Sequence, residues 1–210
     1  MIIQDYFNYK FFEKNDEYNF FVNSTNQNAY DLITNNLSNY NILLYGPKKS
    51  GKSHLANIWK KKNNALIFDG NLDRLINKKN NVVIEDILNN KSEEEIFHLI
   101  NHCNSLNLKI LATSNIELNN YLFHLNDLSS RLKTFYYVEI NQPDDQMCKM
   151  LMTKLFSEKQ IIIKNKEIFD YIFNRVNRTY LDLYNLVEKI DKFSLQKKKQ
   201  LTIPLIREII

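Results

Sequence analysis

The residues Gly46-Pro47-Lys48-Lys49-Ser50-Gly51-Lys52-Ser53 match G-x-x-x-x-G-K-[ST] at every fixed position. Their types suit one task, the grip of a polyphosphate. Consecutive backbone N–H groups in such a loop form an anion nest, and the helix that follows adds the positive end of its dipole. Lys52 is expected to reach the β- and γ-phosphates, and Ser53 to give its hydroxyl to Mg²⁺. Contacts to ADP or ATP are therefore expected from Gly46, Pro47, Lys48, Lys49, Ser50, Gly51, Lys52, Ser53 and, at the start of the helix, His54. The chain of 210 residues holds only three glycines. Two of them stand in this loop, where positive φ and close approach of backbone to ligand call for a residue without Cβ.

Opening a nucleoside triphosphate also needs a metal holder, a group that orients water and positive charge on the γ-phosphate. Val82-Val-Ile-Glu85-Asp86 ends an apolar run in two carboxylates. In that reading Glu85 holds Mg²⁺ and Asp86 orients water; the plainer alternative is a strand that ends in an acidic turn. Thr113-Ser114-Asn115 ends the next apolar run and offers Asn115 as a γ-phosphate sensor, though any strand can end in Ser-Asn.

These residues need a scaffold that brings strand ends together. Short apolar runs at 40–45, 65–69, 81–87, 109–115 and 135–140 read as strands, with Gly70-Asn71 as a turn. Helical spacing appears at 29–37, 54–60 and 96–106, the last preceded by a capping box of Ser92 and Glu95. Strands alternating with helices imply an α/β unit with a five-stranded, mostly parallel sheet covered on both faces. From Gln142 the pattern is helical to the end of the sequence. The expected organisation is an aromatic arm over 1–20, an α/β nucleotide-binding domain over 21–141 and a small all-α domain over 142–210.

Composition narrows the classes further. Net charge is +4, and runs such as Lys60-Lys61-Lys62 and Lys197-Lys198-Lys199 read as solvated faces rather than nucleic-acid tracts. Cys103 and Cys148 lie far apart without a CxxC, which fits a reduced setting. The four histidines lack cysteine partners at zinc spacing, and His98 with His102 lacks a third ligand. No apolar run approaches the ~20 residues of a membrane span, and no targeting signal is visible, so a cytoplasmic protein is expected.

The series of phosphate loop, Val-Ile-Glu-Asp, Ala-Thr-Ser-Asn and Leu128-Ser129-Ser130-Arg131-Leu132 resembles the AAA+ ATPases, and within them the DnaA/Hda family of replication proteins. The likeness takes in Phe20-Phe-Val-Asn23-Ser-Thr-Asn26, where the family has F-x-x-G-x-x-N, and the closing Leu201-Thr-Ile-Pro204. It implies that Arg131 is an arginine finger given to nucleotide on a neighbouring subunit, and that the terminal helices are a lid. Arg178 is the candidate lid arginine, but the family's arginine position falls on Leu181. That departure implies weak lid coupling and weak intrinsic hydrolysis.

The sequence stops at Ile210, and no helix-turn-helix domain of the kind with which DnaA reads DNA is expected within it. The resemblance therefore implies an Hda-like regulator that stimulates hydrolysis on DnaA, touching DNA only indirectly and no membrane. It further implies docking on the DNA polymerase sliding clamp through Gln4-Asp5-Tyr6-Phe7, against the alternative that these aromatics pack on the domain itself. Self-association is compatible with an arginine finger. A self-sufficient ATPase of the helicase-loader type, and a nucleotide-binding interaction module without catalysis, are the competing readings.

Overall fold

Leu, Ile and Val dominate the short strand runs, and such residues bury well when a sheet is covered on both faces. In the computed structural model, which describes residues 19–35, 40–89, 92–163, 165, 167–197 and 200–210, they form β1 (Ile42–Tyr45), β2 (Leu66–Ile67), β3 (Val82–Ile84), β4 (Ile110–Ser114) and β5 (Tyr136–Glu139). The order is β2-β3-β4-β1-β5, every pairing parallel. Register aligns the strand ends: Tyr45 lies beside Ser114 and Glu139, and Ile84 beside Ala112. Gly46, Glu85 and Asn115, each the first residue after its strand, therefore share one edge of the sheet. The expected peptide around Gln4–Phe7 lies outside the described residues.

Alternation along the strands divides the core. Ile42, Leu44, Val83 and Leu111 face α1 (Gln27–Thr34) and α2 (Lys52–Lys62), where they pack with Ile33, Leu55 and Trp59. Leu43, Ile84, Ile110 and Ala112 join the opposite cluster, which holds Ile96, Leu99 and Ile100 of α4 (Glu93–Ser105) and Leu128 and Leu132 of α5 (Asn126–Leu132). Each such large apolar side chain, fully buried, stabilises by roughly 1.5–3 kcal/mol. A separate core joins α6 (Asp145–Glu158), α7 (Glu167–Phe173), α8 (Tyr180–Lys197) and α9 (Ile203–Arg207) around Met152, Ile172, Leu183 and Ile206.

Several bounds differ from those expected. The run 81–87 is a strand only over 82–84, because Asp86 takes φ 47° and turns the chain. The helix expected at 29–37 starts two residues earlier and ends at Thr34. Neither α5 nor the single turn α3 (Asp73–Ile76) is foreseen. The cap at Ser92 does form, its Oγ accepting from the Glu95 N–H at 3.4 Å. The Glu93 carboxylate meanwhile accepts from the backbone N–H groups of Leu125 (2.7 Å) and His124 (3.2 Å) just before α5.

The stretch 19–26 ties the sheet to the helical region. Asn23 Nδ2 donates to both Asp144 carboxylate oxygens at 2.9 and 3.0 Å, and Asp144 caps α6 by accepting from the Met147 N–H at 2.7 Å. Lys154 Nζ donates to the Asn19 carbonyl at 3.0 Å.

Candidate functional site

The loop is built by the conformations its residues allow. Gly46 leaves β1 with its N–H donating to the Ser114 carbonyl at 3.2 Å, and a Cβ there would lie 2.8 Å from the Ile140 carbonyl oxygen. Gly51 takes φ 95°, and a Cβ on it would press on the Phe20 ring at 2.8 Å. Both glycines are thus required by space or backbone angle. Lys49 adopts φ 67° without being glycine.

Lys52, the first residue of α2, folds back under this loop. Its ammonium donates to the Gly46 carbonyl at 2.8 Å and the Pro47 carbonyl at 2.6 Å, and only 6% of the residue is exposed. Burial lowers its pKa to about 8, against the opposing pull of the Asp86 carboxylate. A phosphate beside this ammonium would favour its charged form. Ser53 Oγ donates to Glu85 Oε2 at 2.6 Å, so hydroxyl and carboxylate from two elements meet at one point. Two hard oxygen donors suit Mg²⁺, which takes few protein ligands and completes its shell with phosphate and water. Among the described residues no cluster of three or more His, Cys, Asp or Glu forms another metal site.

Asp86 and Asn115 are brought together as the sequence suggested. Asn115 Nδ2 donates to Asp86 Oδ1 at 2.5 Å, and the Asp86 N–H donates to Thr113 Oγ1 at 3.0 Å. The carboxylate is therefore aimed by the end of β4. These groups, with Lys48, Lys49, Gly51, Lys52, Ser53 and His54, line a cleft of about 390 Å³ closed on the far side by Leu181 and Tyr184 of α8. A smaller cavity of about 70 Å³ adjoins it, between Phe20, Ser50 and His54 on one side and Tyr180 and Tyr184 on the other. Phe20 stacks on Tyr30 at 5.8 Å and meets His54 edge-on at 5.4 Å. Such an aromatic wall suits a planar base beside the phosphate grip. A larger cavity of about 530 Å³ lies between α8 and the end of α9 and contains none of the loop residues.

The two arginines lie elsewhere. Arg178 is bound to Asp145, donates to the Phe173 carbonyl at 3.3 Å and stands over the Phe173 ring. It does not line the cleft as expected of a lid arginine, because the carboxylate at the start of α6 holds it; Leu181 faces the cleft instead. Arg131 lies exposed near the end of α5, outside the cleft lining. Its side chain makes no hydrogen bond or ion pair among the described residues, which leaves its guanidinium unengaged. Cys103 and Cys148 are buried, and burial pushes each thiol up to about 11.

Phe20, Thr113, Tyr180 and Tyr184 are site residues that sequence reasoning assigned no role. Phe20 opens the stretch Phe20–Asn26 on which part of the family likeness rests, so a signal existed there. The tyrosines of α8 carried none, since an aromatic at helical spacing reads as core.

Comparison with known proteins agrees with this fold. Residues 144–210 match the family model described as "Hda, lid domain". The chromosomal replication initiator protein DnaA of Buchnera aphidicola subsp. Cinara cedri (strain Cc) is 27% identical over 242 residues, covering 99% of this chain and 55% of the relative. The chain thus spans about half the length of that curated relative. Domain III of the Thermotoga maritima replication initiation protein DnaA superposes with a TM-score of 0.74 at 17% identity, covering 91% of this chain and 93% of that one. AMPPCP-bound DnaA from Aquifex aeolicus gives 0.65 at 20% identity, over 85% of this chain and 66% of that one.

Proposed function

We propose that this chain, a DnaA/Hda-like protein of AAA+ fold, binds ADP or ATP in its own cleft and gives Arg131 to nucleotide held by DnaA, stimulating hydrolysis there and so restraining replication initiation. The observation that carries the first half is the convergence of Lys52, Ser53 with Glu85, and Asp86 with Asn115 on one cleft. Loop amides and the ammoniums of Lys48 and Lys52 bind the phosphates, and Lys49 adds its backbone to the same loop. Ser53 and Glu85 would hold Mg²⁺, which when bound neutralises phosphate charge. Asp86, oriented by Asn115 and Thr113, is aimed to accept a hydrogen bond from a water beside the terminal phosphate.

The second half is supported by Arg131, which lies away from this chain's own cleft with no side-chain partner among the described residues. A guanidinium is always charged and matches phosphate oxygens in a fork, which is what a group offered to a neighbour's triphosphate needs. The lid-family match over 144–210 favours the regulator over the helicase-loader reading. We read 21–141 as the nucleotide-binding domain and 142–210 as the lid. Docking on the sliding clamp through Gln4-Asp5-Tyr6-Phe7 belongs to the same proposal on sequence resemblance alone, and a cytoplasmic location on the sequence's lack of a visible targeting signal.

Equilibrium dialysis against labelled ADP and ATP tests the first half, and co-sedimentation with clamp-loaded DNA or with replicative helicase tests the second. Nucleotide binding together with clamp association supports the regulator. Helicase association without clamp association would favour the loader.

A further inference from the structure

Lys49 holds a backbone conformation that glycine adopts without cost, φ 67° in the left-handed region, yet carries a long cationic side chain. Its ammonium stands 5.3 Å from the centroid of the Tyr184 ring, within reach of a cation–π attraction. The two residues belong to opposite walls of the cleft, one to the phosphate loop and the other to α8. Both also line the smaller aromatic cavity beside it. The pKa of Glu188, one turn further along α8, is held low chiefly by its bond to Lys159 at 2.8 Å, with Lys49 only the least of the cations around it. The cations lining the cleft all come from the loop, whereas α8 contributes Leu181 and Tyr184.

We propose that Lys49 is a positioning residue that joins the lid to the phosphate loop through the Tyr184 ring, so that occupation of the loop and closure of α8 over the nucleotide are coupled. The inference rests on the nucleotide reading of the cleft. Phosphate binding fixes the loop backbone that carries Lys49, and the fixed ammonium holds the ring against the cleft. The ring in turn closes the cavity next to the phosphate site, which slows escape of the ligand.

The test is a double-mutant cycle on the full chain, read by the dissociation constant of a fluorescent ADP analogue and by protection of α8 from limited proteolysis. K49G and Y184L should each weaken binding about three- to fivefold, and the double variant should be no weaker than either alone. K49R and Y184F keep a cation and a ring, and should keep wild-type affinity and protection. K49G should leave the melting temperature unchanged or raise it, since glycine relieves the strain, so lost affinity is separated from lost folding. Unchanged affinity in K49G would overturn the proposal. So would the same K49G effect in the Y184L background, because the lysine would then act on phosphate alone. Wild-type protein that binds no adenine nucleotide would overturn the nucleotide reading and this inference with it, whereas wild-type binding with additive variants overturns this inference only.

Discussion

Lys52 lies between two demands: the loop buries its ammonium, and polyphosphate recognition needs that ammonium charged. Its pKa falls from the ordinary 10.5 to about 8 on folding. Between those values the unfolded chain holds more protons than the folded one, so this group costs stability below pH 8 and the cost is relieved from 8 upward. Phosphate binding runs the other way, because it draws on the charged form. Nucleotide affinity should therefore hold between pH 6.5 and 7.5 and then fall, approaching about tenfold per unit well above 8. Titration calorimetry in buffers of different ionisation enthalpy should show a proton taken up on binding in the alkaline range. Lys52→Ala should weaken binding about 100-fold at pH 7. Gly46→Ala forces a methyl to within 2.8 Å of the Ile140 carbonyl oxygen, a backbone atom that cannot swing away. It should destabilise by about 1–3 kcal/mol, measured by urea denaturation.

At the scale of elements, the strand ends carry the chemistry and Asp144 carries the joint. That carboxylate caps α6 and accepts from Asn23 Nδ2 and Ser24 Oγ, so one side chain ties the stretch 19–26 to the helical region. Asp144→Ala should cost about 2 kcal/mol, the sum of a lost cap and lost bonds to Asn23 and Ser24. Asn can still accept from the cap N–H but cannot accept from Asn23 through both side-chain atoms, so Asp144→Asn should fall between the two in a thermal melt. The phosphate loop, the acidic pair and Asn115 were legible from sequence because residue types at fixed spacing define them. The parallel sheet was legible because Ile42–Leu44 and Val82–Ile84 read as buried strands. Length was harder: Asp86 bends the chain just after β3, and a propensity for strand at Ile87 does not show it. The smaller cavity was hidden for a different reason. Phe20 and Tyr184 are brought together only by the docking of α8, and no local pattern links residues so far apart in the chain.

Among the described residues, the cleft cations and Arg131 stand in different places. The cleft gathers Lys48, Lys49 and Lys52 with Asp86 between the sheet and α8, while Arg131 looks outward from α5. Arg178, which family likeness offered as a lid contact, is spent on Asp145, so a charge from the lid does not complete the cleft. This arrangement is what the proposed function requires, with nucleotide in the chain's own cleft and Arg131 offered to a partner. The most direct measurement is phosphate release from DnaA preloaded with γ-labelled ATP, with clamp-loaded DNA, on adding wild-type chain or Arg131→Ala. The account predicts that wild-type chain accelerates release, and that Arg131→Ala loses at least about 100-fold of that acceleration while binding ADP as tightly as wild type. Unchanged release with wild-type chain, or full acceleration by Arg131→Ala, would contradict it.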